Sequence, residues 1–419
     1  MALRAVSAAA AAAATRCRDS PSSLAAFSRF ARRTVASRAE EDRDAVVDAP
    51  TTSLLGMSEE ALTRLAREMG EPGYRGKQMH DSIYGMRKAR VVDMALLPGA
   101  FREKLVRAGM EIGRVAPADV VSSPDGTKKI LLELRCGSVI EAVGIPGDVP
   151  GDAASGDGPR RRRFTACVSS QVGCAMRCSF CATGRQGYKR NLDAAEMVNQ
   201  VMALEDVFQR RATNVVMMGM GEPLMNLGNV LEAHRCLNAD VGIGGRYFTI
   251  STVGVPNAIA KLAAHKLQAT LAVSLHAPNQ ALRERLIPSA KAYPLDALLR
   301  DCRAYKKVTG RRVTFEYTLL AGENDSVEHA EALAALLRRN VGGGCHVNLL
   351  PWNPVRGAEE THARPSANAT RRFAEALERE RGITLTVRKT RGLEADAACG
   401  QLTGSFVRKR RVSGEPPLR

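Results

Sequence analysis

The sequence predicts an α/β fold in which a partial TIM-like barrel of six βα units follows a small N-terminal helical domain and a short antiparallel β element. Two patterns support this prediction. After Phe164, short apolar runs rich in β-branched residues alternate with amphipathic helical segments, which is typical of βα units around a parallel sheet or barrel. Before Phe164, the apolar period is that of helices over residues 54–112 and that of strands over residues 118–146.

The helical segment begins with "EEALTRLAREMG", for which Ser58 is a good N-cap and Gly70 a stop signal. Two further short helices are predicted in "YRGKQMHDSIYGM" and "PGAFREKLVRAG". We interpret residues 54–112 as an accessory RNA-binding domain because the segment is basic, although ordinary solvated helix faces would carry similar charges. The basic residues that could contact phosphates are Arg75, Lys77, Arg87, Lys88 and Arg90.

The segments that follow differ in composition. Residues 118–146 contain turns at "SPDGT" and "RCGS" and are predicted to form a β-hairpin element. Residues 147–163 are rich in Gly, Pro and Arg and are interpreted as a flexible loop. Residues 164–405 are the predicted catalytic domain, and residues 406–419 a basic C-terminal tail. The predicted strands of the catalytic domain lie in "FTACVSS", "TNVVMMGM", "YFTISTVG", "ATLAVSLHA", "RVTFEYTLL", "CHVNLLPWN" and "ITLTVRKT".

Charge and composition restrict the partners and the location of the protein. The chain has a net charge of +17, which indicates a polyanionic partner such as nucleic acid, although a basic surface can also serve solubility alone.

The first 39 residues hold seven arginines and one acidic residue, Asp19, which is organelle-import composition. We interpret residues 1–45 as a disordered transit peptide and expect a plastid location. A mitochondrion is the second candidate, and the cytoplasm follows if the leader is not a transit peptide. No run of about 20 apolar residues is present, so no membrane anchor is expected.

Three cysteines, Cys174, Cys178 and Cys181, have the spacing C-x3-C-x2-C on a loop after the first predicted strand of the catalytic domain. Thiolates this close together can bind three irons of a four-iron cluster and leave the fourth iron open for a small molecule. A zinc site would need a fourth Cys or His at matching spacing, and purely structural cysteines are the remaining interpretation. The iron–sulfur cluster is favoured over both.

Six motifs in collinear order make residues 54–412 similar to a known family. The motifs are "CVSSQVGCAMRCSFCATG", "MMGMGEPLMN", "TISTVGVP", "AVSLHAPN", "LLPWNP" and "RKTRGLEADAACGQLTG". The cysteine spacing is the signature of the radical S-adenosylmethionine (SAM) superfamily. Together the motifs resemble the RlmN group of the RlmN/Cfr family, whose members are dual-specificity RNA methyltransferases that convert adenosine to 2-methyladenosine.

The resemblance implies two cofactors, a [4Fe–4S] cluster and SAM, with two SAM molecules used per turnover. Cys174, Cys178 and Cys181 match the cluster ligands. Each of the SAM-binding positions has an ordinary explanation when taken singly, as a turn residue, a cap or a buried polar group, but these explanations do not account for their joint occurrence at successive strand ends. The matching positions are Gly221, Glu222, Ser251, Ser274, Leu275, His276 and Asn353.

The resemblance also implies a route for the methyl group, because the electron-poor carbon-2 of adenine cannot attack SAM by simple displacement. Cys399 matches the cysteine that first accepts a methyl group. A radical derived from the second SAM then activates this methyl group, which joins the adenine and links the protein to the RNA. Cys167 matches the cysteine that releases the RNA by forming a disulfide with Cys399. Glu141 matches the base that takes the proton from carbon-2, although an ordinary charged strand residue is the alternative.

The partners implied by the resemblance are large-subunit ribosomal RNA, transfer RNA and an electron donor such as flavodoxin or ferredoxin, with the protein acting as a monomer. Two other functions stay open. A Cfr-like enzyme that methylates carbon-8 shares the same cysteine roles, and an inactive RNA-binding or ribosome-assembly factor could retain the fold. Intact Cys167, Cys399 and Glu141 argue against the inactive factor. The loop at 147–163 is longer than the corresponding family connection, which leaves open how Glu141 approaches the site.

Overall fold

A computed structural model describes four stretches of the chain, namely residues 52–147, 163–342, 344–380 and 382–404. All of them belong to one compact unit. Some predicted segments lie outside the described residues: the transit peptide at 1–45, nearly all of the loop at 147–163 and the basic tail at 406–419.

The N-terminal helical segment folds as its pattern predicts. The Ser58 hydroxyl caps the first helix by accepting a hydrogen bond from the amide of Ala61 at 3.2 Å. A π-helical turn, Asp81–Gly85, directly extends the second helix. The helices are α1 (Glu59–Glu68), α2 (Tyr74–His80) and α3 (Gly99–Arg107), and the strands that pair in parallel at the two ends of the segment are β1 (Thr52–Ser53) and β2 (Met110–Glu111).

A ten-stranded sheet forms the centre of the molecule, and a separate sheet has two antiparallel strands. The strands are β3 (Asp119–Ser122), β4 (Lys128–Glu133), β5 (Val139–Pro146), β6 (Phe164–Cys167), β7 (Gln171–Gly173), β8 (Tyr188–Asn191), β9 (Asn214–Met217), β10 (Phe248–Thr252), β11 (Thr270–Ser274), β12 (Thr314–Leu319), β13 (Cys345–Pro351) and β14 (Ile383–Val387). The order in the large sheet is β14-β13-β12-β11-β10-β9-β6-β5-β4-β3, and β7 and β8 form the small sheet.

The direction of strand pairing changes at β6. From β6 through β14 the main-sheet strands pair in parallel, whereas β3, β4 and β5 pair antiparallel with one another and β5 pairs antiparallel with β6. The predicted β element is therefore a continuation of the main sheet. In the described residues the sheet ends at β3 and β14 and does not close, so the barrel is partial.

The helices that follow the N-terminal segment, and most of the short helical turns, lie in the connections between the parallel strands. Their apolar faces pack with the strands into one core of buried side chains. The helices are α4 (Ala182–Gln186), α5 (Ala194–Phe208), α6 (Leu227–Ala239), α7 (Ala258–Ala264), α8 (Gln280–Leu286), α9 (Leu295–Thr309), α10 (Val327–Val341) and α11 (Ala367–Glu378). The 3₁₀ turns are Val91–Asp93, Pro223–Asn226, Gly245–Tyr247, Pro288–Ala292 and Leu393–Ala395.

Polar contacts fix the helical segment on the barrel. The Arg87 guanidinium donates to the buried carboxylate of Glu205 on α5 at 2.6 Å and to Asp206 at 3.0 Å. The His80 ring contacts the Asp240 carboxylate after α6 at 3.0 Å. Arg87, one of the residues expected to face phosphates, thus holds the two parts of the molecule together.

The predicted fold class is confirmed, and all seven apolar runs of the catalytic domain form strands. The seventh, β14, extends the predicted six-unit barrel by one parallel strand. Among the described residues, no helix combines the length and apolar character that crossing a membrane requires.

Candidate active site

One cavity of about 230 Å³ opens at the C-terminal ends of the parallel strands. Parallel strands bring the residues that follow them to the same edge of a sheet, which is where barrels of this kind carry their chemistry. All predicted site residues line this cavity except Glu141 and Leu275. The lining therefore includes Cys167, Cys174, Cys178, Cys181, Gly221, Glu222, Ser251, Ser274, His276, Asn353 and Cys399.

The cysteines of the C-x3-C-x2-C motif lie on the loop between β7 and α4. Burial raises the pKa of each thiol, to about 12 for Cys174, and the charges of neighbouring cysteines raise the pKa of Cys174 and Cys178 further. Three such thiols ionise together only if a cation compensates their charge, and an iron cluster does this. Within the described residues, no three His, Cys, Asp or Glu side chains could hold a single metal ion. A four-iron cluster binds each thiolate at a different iron, so its ligands need not meet at one point. The donor set fits the cluster.

The segment that carries Cys399 is bound to the cysteine loop and the end of β13. The Ala182 amide, next to Cys181, donates to the Gly400 carbonyl at 2.7 Å. The Thr183 hydroxyl donates to the Leu402 carbonyl at 2.6 Å. The Asn353 side-chain amide donates to the Cys399 carbonyl at 3.2 Å. These bonds hold Cys399 at the cavity although it is more than two hundred residues from the cysteine loop.

Cys167 ends β6, and its thiol shares the cavity with that of Cys399. Both thiols are free. Burial is the main reason that the pKa of Cys167 rises to about 12. Cys399 is exposed at its surface, and the protein packed around its thiol raises its pKa to about 11. The Cys399 charge raises the pKa of Cys167 further, and the Arg388 guanidinium lowers the pKa of both thiols. Arg388 is therefore the cation that favours either thiolate.

The loop after β9 presents backbone and a carboxylate to the cavity. Gly221 has φ +105°, and a Cβ there would collide with Gln171, so glycine is required. The Glu222 carboxylate accepts hydrogen bonds from the amides of Leu224 and Val253, at 2.9 and 2.7 Å. Glu222 thus ties the end of β9 to the end of β10, where Ser251 lies.

His276 follows β11 and is held in one protonation state. Its Nδ1 accepts a hydrogen bond from the Thr318 amide at 2.9 Å, so in the neutral ring Nε2 carries the hydrogen. Burial and the nearby Arg283 guanidinium lower the pKa of His276 to about 3. The ring is neutral at physiological pH and can donate one hydrogen bond from Nε2.

Asn353 makes contacts that leave little of its side chain for a ligand. Its carbonyl oxygen accepts from Arg364 at 2.9 Å and from Thr390 at 3.0 Å, and its amide group reaches the Cys399 carbonyl. Asn353 lines the cavity. Its bonds in this structure orient the Cys399 segment.

Leu275 and Glu141 lie outside the cavity lining. Leu275 is fully buried, and its backbone bonds to the Glu316 carbonyl at 3.0 Å. The Glu141 carboxylate faces Lys129 Nζ at 3.4 Å and accepts from the Thr403 amide at 2.9 Å. Burial raises the pKa of Glu141, and the Lys129 charge opposes this rise. Glu141 therefore contacts the segment after Cys399, while Val143 and Ile145, on the same face of β5, reach the cavity.

Four charged residues near the site carry no signal that sequence reasoning used. Glu316 and Arg388 line the cavity itself. Lys129 contacts Glu141 and donates to the Asp396 carbonyl at 3.0 Å. Arg283 is buried and donates to carbonyls at the ends of β10 and β11, including that of Leu275 at 3.3 Å. Glu316 could have been detected as an acid in the middle of an apolar strand, and Arg388 as the first residue of the last of the six motifs.

Comparisons with known proteins agree with this site. Residues 168–334 match the radical SAM superfamily. The chain is 51% identical over 349 residues to a "Probable dual-specificity RNA methyltransferase RlmN" of Thermosynechococcus vestitus, covering 83% of this chain and 97% of that protein. It is 50% identical over 365 residues to the protein of the same name in Synechocystis, covering 87% and 98%.

A solved structure is also similar over most of the chain. The crystal structure of a radical SAM methyltransferase from Sphaerobacter thermophilus has a TM-score of 0.77 and 41% sequence identity, covering 85% of this chain and all of that one. The predicted resemblance is confirmed. With half of its residues identical to those of RlmN proteins over nearly their whole length, the chain belongs to the RlmN family of the radical SAM superfamily.

Proposed function

We propose that the protein methylates carbon-2 of adenosine in large-subunit ribosomal RNA and in transfer RNA. The observation that carries this proposal is that Cys167 and Cys399 line the same cavity as the three cysteines of the C-x3-C-x2-C motif. An RNA methyltransferase that uses a nucleophilic cysteine needs this combination, and a protein that only binds RNA does not. The names of the RlmN relatives support RNA as the substrate.

Cys174, Cys178 and Cys181 would hold the [4Fe–4S] cluster. SAM would lie between the cluster and the strand ends, near Gly221, Glu222, Ser251, Ser274, Leu275, His276 and Asn353. When bound, the cluster and two SAM molecules per turnover supply a methyl group and a carbon-centred radical. His276 suits SAM binding because its neutral ring offers a hydrogen bond from Nε2. Leu275 does not line the cavity, and its backbone amide and carbonyl already bond to the Glu316 carbonyl and to the Arg283 guanidinium.

Cys399 accepts the methyl group on sulfur and carries it to the adenine ring, so the RNA becomes covalently bound through this carbon. Cys167 then attacks the sulfur of Cys399. The sulfur–carbon bond breaks with its electron pair left on the carbon, which takes up a proton, such as the one released by the Cys167 thiol, to complete the methyl group. The methylated RNA leaves, and a disulfide remains that a reductant must reopen. The shared cavity and the Arg388 guanidinium, which lowers the pKa of both thiols, support this exchange.

Glu141 takes the proton from carbon-2 before the RNA leaves. Its raised pKa suits a base that must bind this proton, and its carboxylate accepts a hydrogen bond from the amide of Thr403, four residues after Cys399. Because Glu141 lies outside the cavity lining, proton transfer requires the segment around Cys399 to move when RNA binds.

The proposal extends to the whole chain. Residues 54–112 assist RNA binding, and the protein acts as a monomer that receives electrons from a flavodoxin or ferredoxin. Residues 1–45 direct it to the plastid. The RlmN relatives from cyanobacteria are compatible with a plastid origin.

Nucleoside mass spectrometry after incubation of target RNA with reconstituted protein, SAM and reductant tests the function. We expect 2-methyladenosine with the wild type and with Cys136→Ala, whose cysteine is exposed outside the cavity, and none with Cys399→Ala. 8-Methyladenosine would identify the Cfr-like reaction instead. Unmodified RNA in the presence of an intact cluster would identify an RNA-binding factor.

A further inference from the structure

Glu316 is a buried acid in which only one of the two carboxylate oxygens has a hydrogen-bond partner among the described residues. It lies on β12 with 5% of its surface exposed and lines the cavity. Its Oε1 accepts a hydrogen bond from the Asn348 side-chain amide at 2.9 Å. Its Oε2 is buried and has no hydrogen-bond partner among the described residues. A buried acceptor without a partner is unfavourable, so such atoms usually receive one from a ligand or a water.

The strand fixes the direction of the Glu316 side chain. Successive residues of a strand face opposite sides, and Thr318, two positions on, also lines the cavity. Tyr317 faces the other side and packs against the Phe373 ring of α11, with 5.2 Å between ring centroids. Glu316 therefore cannot turn away from the cavity without a change of register.

The charged neighbour of Glu316 does not satisfy its free oxygen. Burial raises the pKa of the Glu316 carboxyl group, and the nearby Arg388 charge opposes part of this rise. No ion pair within 4.0 Å joins the two residues in the described part of the chain, and the Arg388 guanidinium donates instead to the Met218 sulfur at 3.9 Å. Arg388 thus favours a charged carboxylate and leaves Oε2 open.

The position of Glu316 indicates what kind of ligand it meets. In the sheet it pairs with Ser274 on β11 and with Asn348 on β13, so it lies between a proposed SAM contact and the final strands. Its charge also raises the pKa of Cys399, the proposed methyl acceptor. Both of the ligands that the proposed function brings to this cavity contain adenosine. Adenosine offers hydrogen-bond donors, the exocyclic amine and the ribose hydroxyls, to a carboxylate.

We propose that Oε2 of Glu316 binds a hydrogen-bond donor of an adenosine group in the cavity and that Glu316 is a specificity-determining residue of this enzyme. The inference rests on the proposed function, which supplies two adenosines, one in SAM and one in the target RNA. Both adenosines offer the same hydrogen-bond donors to the carboxylate, and separate binding measurements show whether Glu316 contacts SAM or the RNA.

The test uses the full-length, cluster-loaded protein and the variant Glu316→Gln. Glutamine can keep the hydrogen bond from Asn348 through its carbonyl oxygen. Its NH2 group then faces the cavity in place of Oε2, and this group cannot accept a hydrogen bond. Glu331→Gln, on the exposed face of α10, is the matched control. Calorimetry measures S-adenosylhomocysteine affinity without RNA, and a second titration measures affinity for the adenosine-containing RNA without SAM.

We expect Glu316→Gln to weaken one of the two affinities by about tenfold or more, as for the loss of a hydrogen bond to a charged group, and Glu331→Gln to change neither. The melting temperature shows whether the variant folds, and Glu316→Asp, which withdraws the carboxylate by one methylene, should show the same loss. Unchanged affinities would overturn the inference, and so would equal losses for both ligands, which indicate a disturbed cavity. A wild-type protein that binds neither ligand would instead contradict the proposed function itself.

Discussion

Cys167 is the residue at which release of the RNA can be tested, because its proposed role begins only after the RNA is bound to Cys399. Cys167→Ala removes the attacking thiol and leaves Cys399 in place. We therefore expect the variant to accumulate a covalent protein–RNA product after one turnover. Denaturing electrophoresis with labelled RNA measures this product. Cys136→Ala should release the RNA normally, and free, unmodified RNA from Cys167→Ala would contradict the releasing role.

Lys129 controls the protonation of Glu141, the proposed base. A base works only when deprotonated, so a raised pKa moves the acidic limit of activity to higher pH. The Lys129 charge, 3.4 Å from the Glu141 carboxylate, opposes this rise. Lys129→Met should therefore shift the acidic limit further upward. The pH dependence of single-turnover methylation measures the shift.

Lys128→Met is the matched control for this pH profile. Lys128 neighbours Lys129 on β4, but its ammonium group lies 5.1 Å from the centre of the Phe208 ring and makes no ion pair with Glu141 among the described contacts. We expect the acidic limit of Lys128→Met to equal that of the wild type. An unchanged limit in Lys129→Met would show that Glu141 does not act as the base.

At the scale of elements, the sequence predicts the strands well because each is a short apolar run that ends in glycine or polar residues. The β12 run "RVTFEYTLL" and the β11 run "ATLAVSLHA" both form strands at the expected places. The sequence does not predict that the antiparallel element joins the main sheet. This joining depends on the pairing of β5 with β6. The sequence of the connection between them does not indicate that these two strands pair.

The site shows the same difference between features that local sequence predicts and features that depend on long-range contacts. Local pattern predicts that Gly221, Ser251 and Ser274 lie together at strand ends, and family resemblance adds their role in SAM binding. The Cys399 segment reaches the cavity through bonds such as that of Thr183 to the Leu402 carbonyl, which joins residues 219 positions apart. Periodicity cannot predict such a contact, and family resemblance alone identified Cys399. Lys129 and Arg388 were missed because their importance comes from tertiary neighbours.

For the whole molecule, the net charge of +17 indicates a polyanionic partner, and the structure indicates which charges remain available for it. Most of the basic residues expected to contact phosphates in the helical segment already have acidic partners. Arg87 pairs with Glu205, Arg90 with Asp93, and Lys77 with Asp81. In contrast, Lys389 is exposed at the cavity lining, directly after Arg388. We therefore expect phosphates near the target adenosine to contact Lys389.

Salt dependence tests this assignment, because each neutralised phosphate contributes about −0.7 to the slope of log affinity against log salt for single-stranded RNA. Lys389→Gln should make the slope less negative by roughly this amount and weaken binding to different RNA sequences alike. Fluorescence anisotropy between about 50 and 200 mM salt measures the slope. Lys261→Gln, exposed on α7 outside the cavity lining, should keep the wild-type slope. Equal slopes for Lys389→Gln and the wild type would mean that RNA enters over another basic surface.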